Sequence, residues 1–233
     1  MIAETPVTDS CILLFVKSPE HLPVKSRLAE SIGKETAREL YKNFVLDILE
    51  TLSGAAAKIG CALRVCVHPP EALRHMRNWL GDNYRYLPQQ GNTLGERMKN
   101  AFLASFADGY ERVVIIGSDA PDLTGESITE AFRFLEDSEA VIGPAHDGGY
   151  YLIGFRSDAF LPVVFEDIPW STGEVFAATM KIFQQAQCDV SVLPPWRDID
   201  ILPDLQDFRA RHEKSSFADS RTMRYLRSWA GGK

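Results

Sequence analysis

Short apolar runs alternate with amphipathic helical periods along most of this chain. Residues 11–16 are almost continuously apolar, a pattern typical of a strand buried on both faces. Between residues 37 and 52, apolar side chains recur at helical spacing and form one stripe. Further strands are predicted at 61–67, 84–87, 112–116, 140–142, 150–155 and 191–193. Because the connections are long enough for parallel pairing, the pattern predicts an α/β fold with a central, mostly parallel sheet flanked by helices.

Composition narrows the class of protein further. No repeat or linker divides the 233 residues, so we expect a single domain over 1–233, with residues 1–10 and 215–233 peripheral. The net charge of −7 argues against a nucleic-acid partner. We expect no transmembrane segment and no secretory leader, since the apolar runs are short and the first ten residues lack a basic start. Four cysteines without a CxxC pair indicate reduced thiols and a cytoplasmic protein; nothing signals an oligomeric state.

A basic loop follows the first predicted strand. Lys17, Lys25 and Arg27 lie within eleven residues of one another, ahead of a helix. Lysine binds phosphate as a point charge and arginine as a fork, so the three together suit a diphosphate or a triphosphate. A solvated basic loop would show the same spacing. Neither a P-loop nor a G-x-G-x-x-G pattern occurs in the chain.

An acidic turn follows the fourth predicted strand, in the sequence Gly-Ser-Asp-Ala-Pro-Asp. Asp119 comes directly after the strand end, where a carboxylate can hold Mg²⁺ together with phosphate oxygens and water. The alternative for Asp119 is a turn or cap residue. Asp122, which precedes Leu-Thr, is interpreted as a residue at the start of a helix.

The segment 143–151 is rich in turn residues. Asp147 is a candidate general base if it reaches an acceptor hydroxyl, with His146 as a weaker rival. Gly148 and Gly149 fit either a backbone packed against a sugar-sized ligand or a tight hairpin, and the Asp-Gly pair favours the hairpin.

Two later segments carry further candidates. Trp170 either stacks on a ligand or acts as a hydrophobic staple, because residues 171–174 have the spacing of a capping box that opens a helix. Residues 197–204 place several carboxylates after the last strand, and one of them can join Asp119 on a metal. Asp204, beside Pro203, also fits the negative charge expected at a helix start.

Six segments in this order resemble a bacterial family of glycosyltransferase-like proteins. The segments are 17–28, 90–98, 117–123, 143–154, 169–172 and 198–205. The family is often called the radical-SAM/selenodomain-associated transferases and lies within the GT-A nucleotide-diphospho-sugar transferase superfamily. The resemblance spans residues 11–208 and implies a Rossmann-like GT-A fold whose first half binds a nucleotide diphosphate.

The resemblance also implies roles for single residues. Lys17, Lys25 and Arg27 match the phosphate-contacting loop, whereas Gly95 and Arg97 match a segment near the base or ribose.

Asp119 and Asp200 match acids that hold a divalent metal, Mg²⁺ or Mn²⁺. The acceptor or sugar side is matched by Asp147, Gly148, Gly149 and Tyr150.

The chain departs from the family pattern at two positions. Leu22 replaces a glycine of the first loop, and Ile201 replaces the threonine after Asp200. We therefore expect a changed path of the first loop and a lost hydroxyl beside Asp200.

The leading hypothesis is a metal-dependent transferase, a glycosyltransferase that uses a nucleotide-diphosphate sugar and a small-molecule acceptor. The alternative is a nucleotidyltransferase that couples a nucleoside triphosphate to a small phosphorylated acceptor and releases pyrophosphate. A non-catalytic nucleotide-binding protein is disfavoured because Asp119, Asp147 and Asp200 are all present.

Overall fold

Seven strands form one sheet in the computed structural model, which describes residues 8–229. The strands are β1 (Ser10–Lys17), β2 (Ala62–His68), β3 (Arg85–Pro88), β4 (Arg112–Ile116), β5 (Ala140–Pro144), β6 (Tyr150–Arg156) and β7 (Val190–Val192). Their order across the sheet is β3-β2-β1-β4-β6-β5-β7. Only β6 runs antiparallel to its neighbours β4 and β5. The predicted α/β class with a mostly parallel sheet is confirmed.

Eight α-helices surround the sheet within the described residues. They are α1 (Ser26–Ile32), α2 (Lys34–Ile59), α3 (Leu73–Leu80), α4 (Leu94–Ala107), α5 (Gly125–Asp137), α6 (Val175–Gln185), α7 (Leu202–His212) and α8 (Arg221–Ser228). The predicted stripe between residues 37 and 52 is the buried side of α2. No helix in the described part of the chain is both long and apolar enough to cross a membrane.

Alternation along β1 divides the core into two layers. Ile12 and Leu14 pack with α2, α3 and α5 on one side of the sheet. Leu13 and Phe15 pack with α4 and α6 on the other side. Because successive side chains of a strand point to opposite faces, a strand buried by both layers must be apolar throughout. This explains the continuous apolar run in the sequence.

The carboxyl-terminal helices cover the outside of α2. Asp47 of α2 accepts hydrogen bonds from the backbone N–H groups of Arg221 (3.0 Å) and Thr222 (2.8 Å) and so binds the start of α8. Met223 and Leu226 of α8 are buried in a third apolar cluster with parts of α1, α2 and α7. The predicted peripheral position of 1–10 and 215–233 falls partly on residues 1–7 and 230–233, which lie outside the described residues.

Two helix starts differ from the sequence prediction. Helix α6 begins at Val175, after a turn in which Ser171 has a φ of 67°. An N-cap residue has an extended backbone, which Ser171 does not have, and Glu174 N donates instead to the Thr172 hydroxyl (3.3 Å). The predicted capping box at 171–174 is therefore wrong. Helix α5 is capped by Thr124, whose hydroxyl accepts from Ser127 N, and Asp122 is therefore not its starting residue.

Candidate active site

A cleft of about 670 Å³ opens at the carboxyl ends of β1 and β4. The strand order reverses direction between these two strands, since β2 and β3 lie on one side of β1 and the later strands lie on the other. Ligands of open α/β sheets bind at such a switch point. The side chains that line the cleft include Lys17, Lys25, Arg27, Arg97, Asp119, Asp147, Tyr150, Trp170, Asp198 and Asp200.

Lys25 occupies the centre of the cleft floor. Its ammonium nitrogen lies 2.5 Å from Asp119 Oδ1 and 2.9 Å from Asp200 Oδ1, and its side chain is only 3% exposed. Burial by itself lowers the pKa of Lys25, but the two carboxylates outweigh burial and raise it. Lys25 is therefore a fixed cation that joins the two predicted metal ligands, and in this arrangement it is paired with carboxylates.

The same ion pair lowers the pKa of Asp119. Burial opposes ionisation of this carboxyl group, whereas the charge and hydrogen bond of Lys25 favour it more strongly. The Asp119 side chain is 53% exposed because it faces the open cleft. The ion pair with Lys25 thus favours the ionised form of Asp119.

Three other carboxylates form what we call the acidic wall: Asp147, Asp198 and Asp200. One oxygen from each lies within 4.8 Å of the others. Burial, together with the charges of Asp147 and Asp200, raises the pKa of Asp198 to about 7. Lys25 balances part of the negative charge of the acidic wall, because it pairs with Asp200.

Backbone hydrogen bonds bring the members of the acidic wall together. Trp196 N donates to Pro144 O (2.9 Å), and His146 N donates to Trp196 O (3.0 Å). This short parallel pairing places Asp147 next to Asp198. Ile199 N donates to Asp119 O (3.2 Å), which brings Asp200 to the end of β4.

Asp122 connects three segments that support the acidic wall. Its Oδ1 accepts from the indole Nε1 of Trp196 (3.0 Å). Its Oδ2 lies 2.7 Å from His212 Nε2 and accepts from Arg211 Nη1 (3.2 Å). The Asp122 side chain is only 3% exposed. Its role is therefore to join the β4 end to α7 and to Trp196, two residues before Asp198.

Three cations also line the cleft, and we call them the basic wall: Lys17, Arg27 and Arg97. Lys17 and Arg27 have no side-chain hydrogen bond or ion pair within residues 8–229. Arg97 donates weakly to Asn92 O (3.4 Å), and its buried Nε has no partner there. Burial lowers the pKa of Arg97. Hence the basic wall presents cations with unused hydrogen-bond donors.

The predicted acceptor-side residues divide into two groups. Gly149, Tyr150 and Trp170 line the cleft, and the rings of Tyr150 and Trp170 meet edge to face with centroids 6.3 Å apart. Gly149 N donates to Asp147 Oδ1 (2.8 Å) and thereby orients that carboxylate. Gly148, with a φ of 90°, is instead the turn of the β5–β6 hairpin.

Gly95 and Gly148 are required for packing. A Cβ atom at Gly95 would overlap Phe165 O, and one at Gly148 would overlap Gly173 O. Neither glycine lines the cleft. The structure therefore gives Gly95 and Gly148 a role in the close approach of chain segments.

Asp198 is one of the carboxylates that the sequence places at 197–204, but the prediction assigned only Asp200 to a metal. The signal was its position two residues before Asp200, with the apolar Ile199 between them. Ile199 is buried, whereas Asp198 and Asp200 are partly exposed. Alternation along an extended segment places such residues on one side.

Strand order and cleft position define this chain as an α/β protein with a nucleotidyltransferase and GT-A-like fold. The chain belongs to the family described as "Uncharacterized protein conserved in bacteria (DUF2064)", whose model matches residues 51–172. No curated protein matches the chain significantly. Membership of the radical-SAM-associated transferases stays a prediction.

Solved structures give the same fold. One from Desulfovibrio desulfuricans G20, provisionally described as a nucleotide-diphospho-sugar transferase, is 43% identical, with a TM-score of 0.89 and 95% of each chain covered.

Two further structures are much less similar in sequence. The 4-diphosphocytidyl-2C-methyl-D-erythritol synthase of Anaerococcus prevotii is 12% identical, with a TM-score of 0.58 over 89% of this chain and 97% of that one. A Mycobacterium tuberculosis protein in complex with manganese is 15% identical, with a TM-score of 0.51 over 89% of this chain and 100% of that one. At 12% and 15% identity, the similarity of these two structures to this chain is evidence for a shared fold.

Proposed function

We propose that this chain is a metal-dependent transferase that uses a nucleotide-diphosphate sugar. The observation that carries the proposal is that a basic wall and an acidic wall line the same cleft at the switch point of the sheet. A diphosphate needs cations, and a divalent metal needs carboxylates. The provisional description of the 43% identical relative from D. desulfuricans supports the same class of substrate.

The basic wall takes the diphosphate in this proposal. Lys17 and Arg27 form no ion pair within the described residues, so they bind phosphate without breaking one. Arg97 offers a donor that is already desolvated. Because a buried donor without a partner is costly, a phosphate oxygen that reaches it gains more than it would at an exposed arginine.

The acidic wall fits a divalent cation by the chemistry of its donors. Carboxylate oxygens are the ligands that Mg²⁺ and Mn²⁺ prefer. Burial and the charges of Asp147 and Asp200 raise the pKa of Asp198, and a bound divalent cation would favour its ionised form. The sequence prediction paired Asp119 with Asp200, but Lys25 lies between those two. We therefore assign the cation to Asp200 with Asp147 and Asp198, and assign Asp119 to holding Lys25.

A bound divalent cation would neutralise the charge that develops on the leaving diphosphate. The chain's own groups do the rest. Lys25 holds Asp200 in place, and the basic wall stabilises the leaving phosphates electrostatically.

Asp147 is the exposed member of the acidic wall, so it is the carboxylate best placed to orient or deprotonate an acceptor hydroxyl beside Tyr150 and Trp170. The substitution Asp147→Asn tests whether Asp147 acts as base, as cation ligand or as both. Lost transfer with unchanged Mn²⁺ affinity would assign it the role of base alone, whereas weaker Mn²⁺ binding would show that it also holds the cation.

A thermal-shift panel of sugar nucleotides and nucleoside triphosphates with Mn²⁺, followed by product analysis, tests the proposal. A ligand at a hundredfold excess over its dissociation constant stabilises the folded state by about 2.7 kcal/mol. We expect stabilisation by sugar nucleotides and slow release of the nucleoside diphosphate. Lys99→Ala is the control for a loss of positive charge outside the cleft, because Lys99 pairs with Glu166 and does not line the cleft. This variant should respond to the ligands like wild type.

Other outcomes would replace the proposal. Pyrophosphate released from a nucleoside triphosphate in the presence of a phosphorylated acceptor would establish the nucleotidyltransferase alternative. Binding of nucleotides without turnover of any would establish a non-catalytic protein.

A further inference from the structure

Two polar side chains at the switch point have no role so far: Tyr41 of α2 and Ser118 after β4. The Tyr41 hydroxyl accepts a hydrogen bond from Lys17 N (3.0 Å) and lies 3.0 Å from Ser118 Oγ. Tyr41 is 3% exposed and Ser118 is 5% exposed, and both line the cleft. A single buried hydroxyl thus connects the ends of β1 and β4.

The direction of the Tyr41–Ser118 hydrogen bond follows from the partners of Tyr41. The phenol keeps its proton, because burial raises its pKa to about 12. Within residues 8–229 the phenol proton has one acceptor in reach, Ser118 Oγ. If Ser118 donated instead, the proton of Tyr41 would be buried without a partner, because a phenol proton stays in the plane of its ring. The serine proton rotates about the Cβ–Oγ bond and can reach an acceptor in the cleft. Tyr41 therefore donates and Ser118 accepts.

This direction leaves the proton of Ser118 unused. No other acceptor for Ser118 Oγ is present in the described part of the chain. The neighbouring carboxylate of Asp119 is bound to Lys25 instead. A hydroxyl in this state is a free donor for an acceptor that enters the cleft.

We propose that Ser118 binds the ligand's phosphate by donating this hydrogen bond, with Tyr41 as the positioning residue that sets its direction. The inference deepens the proposed function and rests on it. The ligand is an oxyanion, since the Lys17 side chain beside this pair is a cation without a partner among the described residues.

Calorimetric titration with Mn²⁺ tests the inference. The probes are inorganic pyrophosphate and whichever common nucleoside diphosphate wild type binds most tightly. We expect Ser118→Ala to weaken both probes about tenfold or more, because hydrogen bonds to charged groups are the stronger ones. Tyr41→Phe should cost only a few-fold, since Ser118 can still donate. Ser118→Cys has a side chain of similar size and replaces the hydroxyl with a thiol, which is a weak donor. If Ser118→Ala does not fold, Ser118→Cys should show the weaker binding instead.

A second serine–tyrosine pair provides the control. Ser53 Oγ lies 3.3 Å from Tyr84 OH, and neither residue lines the cleft. Ser53→Ala should bind both probes like wild type. If wild type binds and the Ser118 variants bind equally well, the inference is overturned and the proposed function stands. If wild type binds neither pyrophosphate nor any nucleoside diphosphate, both are overturned.

Discussion

The two walls of the cleft differ in how their charges are held. In the basic wall, Lys17 and Arg27 have no side-chain partner in residues 8–229. In the acidic wall, Asp200 is bound to Lys25, and Asp147 is oriented by Gly149 N. Side chains without partners can move with a ligand, whereas carboxylates held by neighbouring groups keep one geometry. We infer that the basic wall supplies affinity and that the acidic wall supplies position.

Removing Lys25 should have the largest effect. Lys25→Met leaves Asp119 and Asp200 facing each other without their buried cation. Loss of one partner from a buried pair costs roughly 3–5 kcal/mol, and we expect about 3 because Asp119 is half exposed. Urea unfolding measures the change.

Mn²⁺ should restore part of the stability lost in Lys25→Met, since the freed carboxylates can bind it. Lys42→Met is the control: Lys42 pairs with Glu20 and Glu39 at the surface, and its loss should cost at most about 1 kcal/mol. Equal losses in the two variants would contradict a central role for Lys25.

Substitutions in the basic wall should affect binding and leave folding unchanged. Arg97→Ala removes a desolvated cation with an unpartnered Nε, so we expect the affinity for a nucleoside diphosphate to fall about 10- to 100-fold. The free energy of unfolding should stay within about 0.5 kcal/mol of wild type. Isothermal titration together with thermal melting separates the two effects; a large drop in stability with normal affinity would reverse the assignment.

The acidic wall should make the metal-free protein sensitive to pH. The pKa of Asp198 is about 7 in the folded state, well above the ordinary aspartate value. The folded protein therefore binds this proton more tightly than the unfolded chain does. The contribution of Asp198 to the free energy of unfolding is fully present below its unfolded-state pKa. It is lost as the pH rises through about 7.

We expect a loss on the order of 1–2 kcal/mol between pH 5 and pH 8, discounted for partial exposure of the group. Urea unfolding with a chelator measures it. In Asp198→Asn the free energy of unfolding should depend less on pH. An unchanged pH dependence in that variant would show that another group titrates.

The smallest effect should come from the support of the acidic wall. Trp196→Phe keeps a ring but loses the hydrogen bond from Nε1 to Asp122. We expect a loss of about 1 kcal/mol in stability and a several-fold weaker Mn²⁺ affinity. Trp79→Phe is the control, because Trp79 lies outside the cleft. Mn²⁺ titration of both variants decides whether Asp122 and Trp196 position the acidic wall.

The fold was largely predictable because its signals are local. The apolar run of β1 and the stripe of α2 reflect burial by two layers, and both appear directly as residue spacing. The failure at residue 171 came from a backbone conformation, the positive φ of Ser171, which the residue type does not signal.

The site was predictable only in its parts. The basic and acidic residues follow strand ends, and parallel strands bring those ends to one edge of the sheet. What the sequence does not contain is the pairing between distant residues. The contact of Lys25 with Asp119 and Asp200, and that of Asp122 with Trp196, are set by packing across the sheet.

Linked binding of Mn²⁺ and a nucleoside diphosphate tests the central claim most directly. If the two walls hold one metal–diphosphate ligand, each partner must raise the affinity for the other by the same factor. We predict a factor of about ten or more in wild type. In Asp200→Asn the factor should fall to nearly one, while metal-free diphosphate binding by the basic wall persists. Equal diphosphate affinity in wild type with and without Mn²⁺ would contradict the claim.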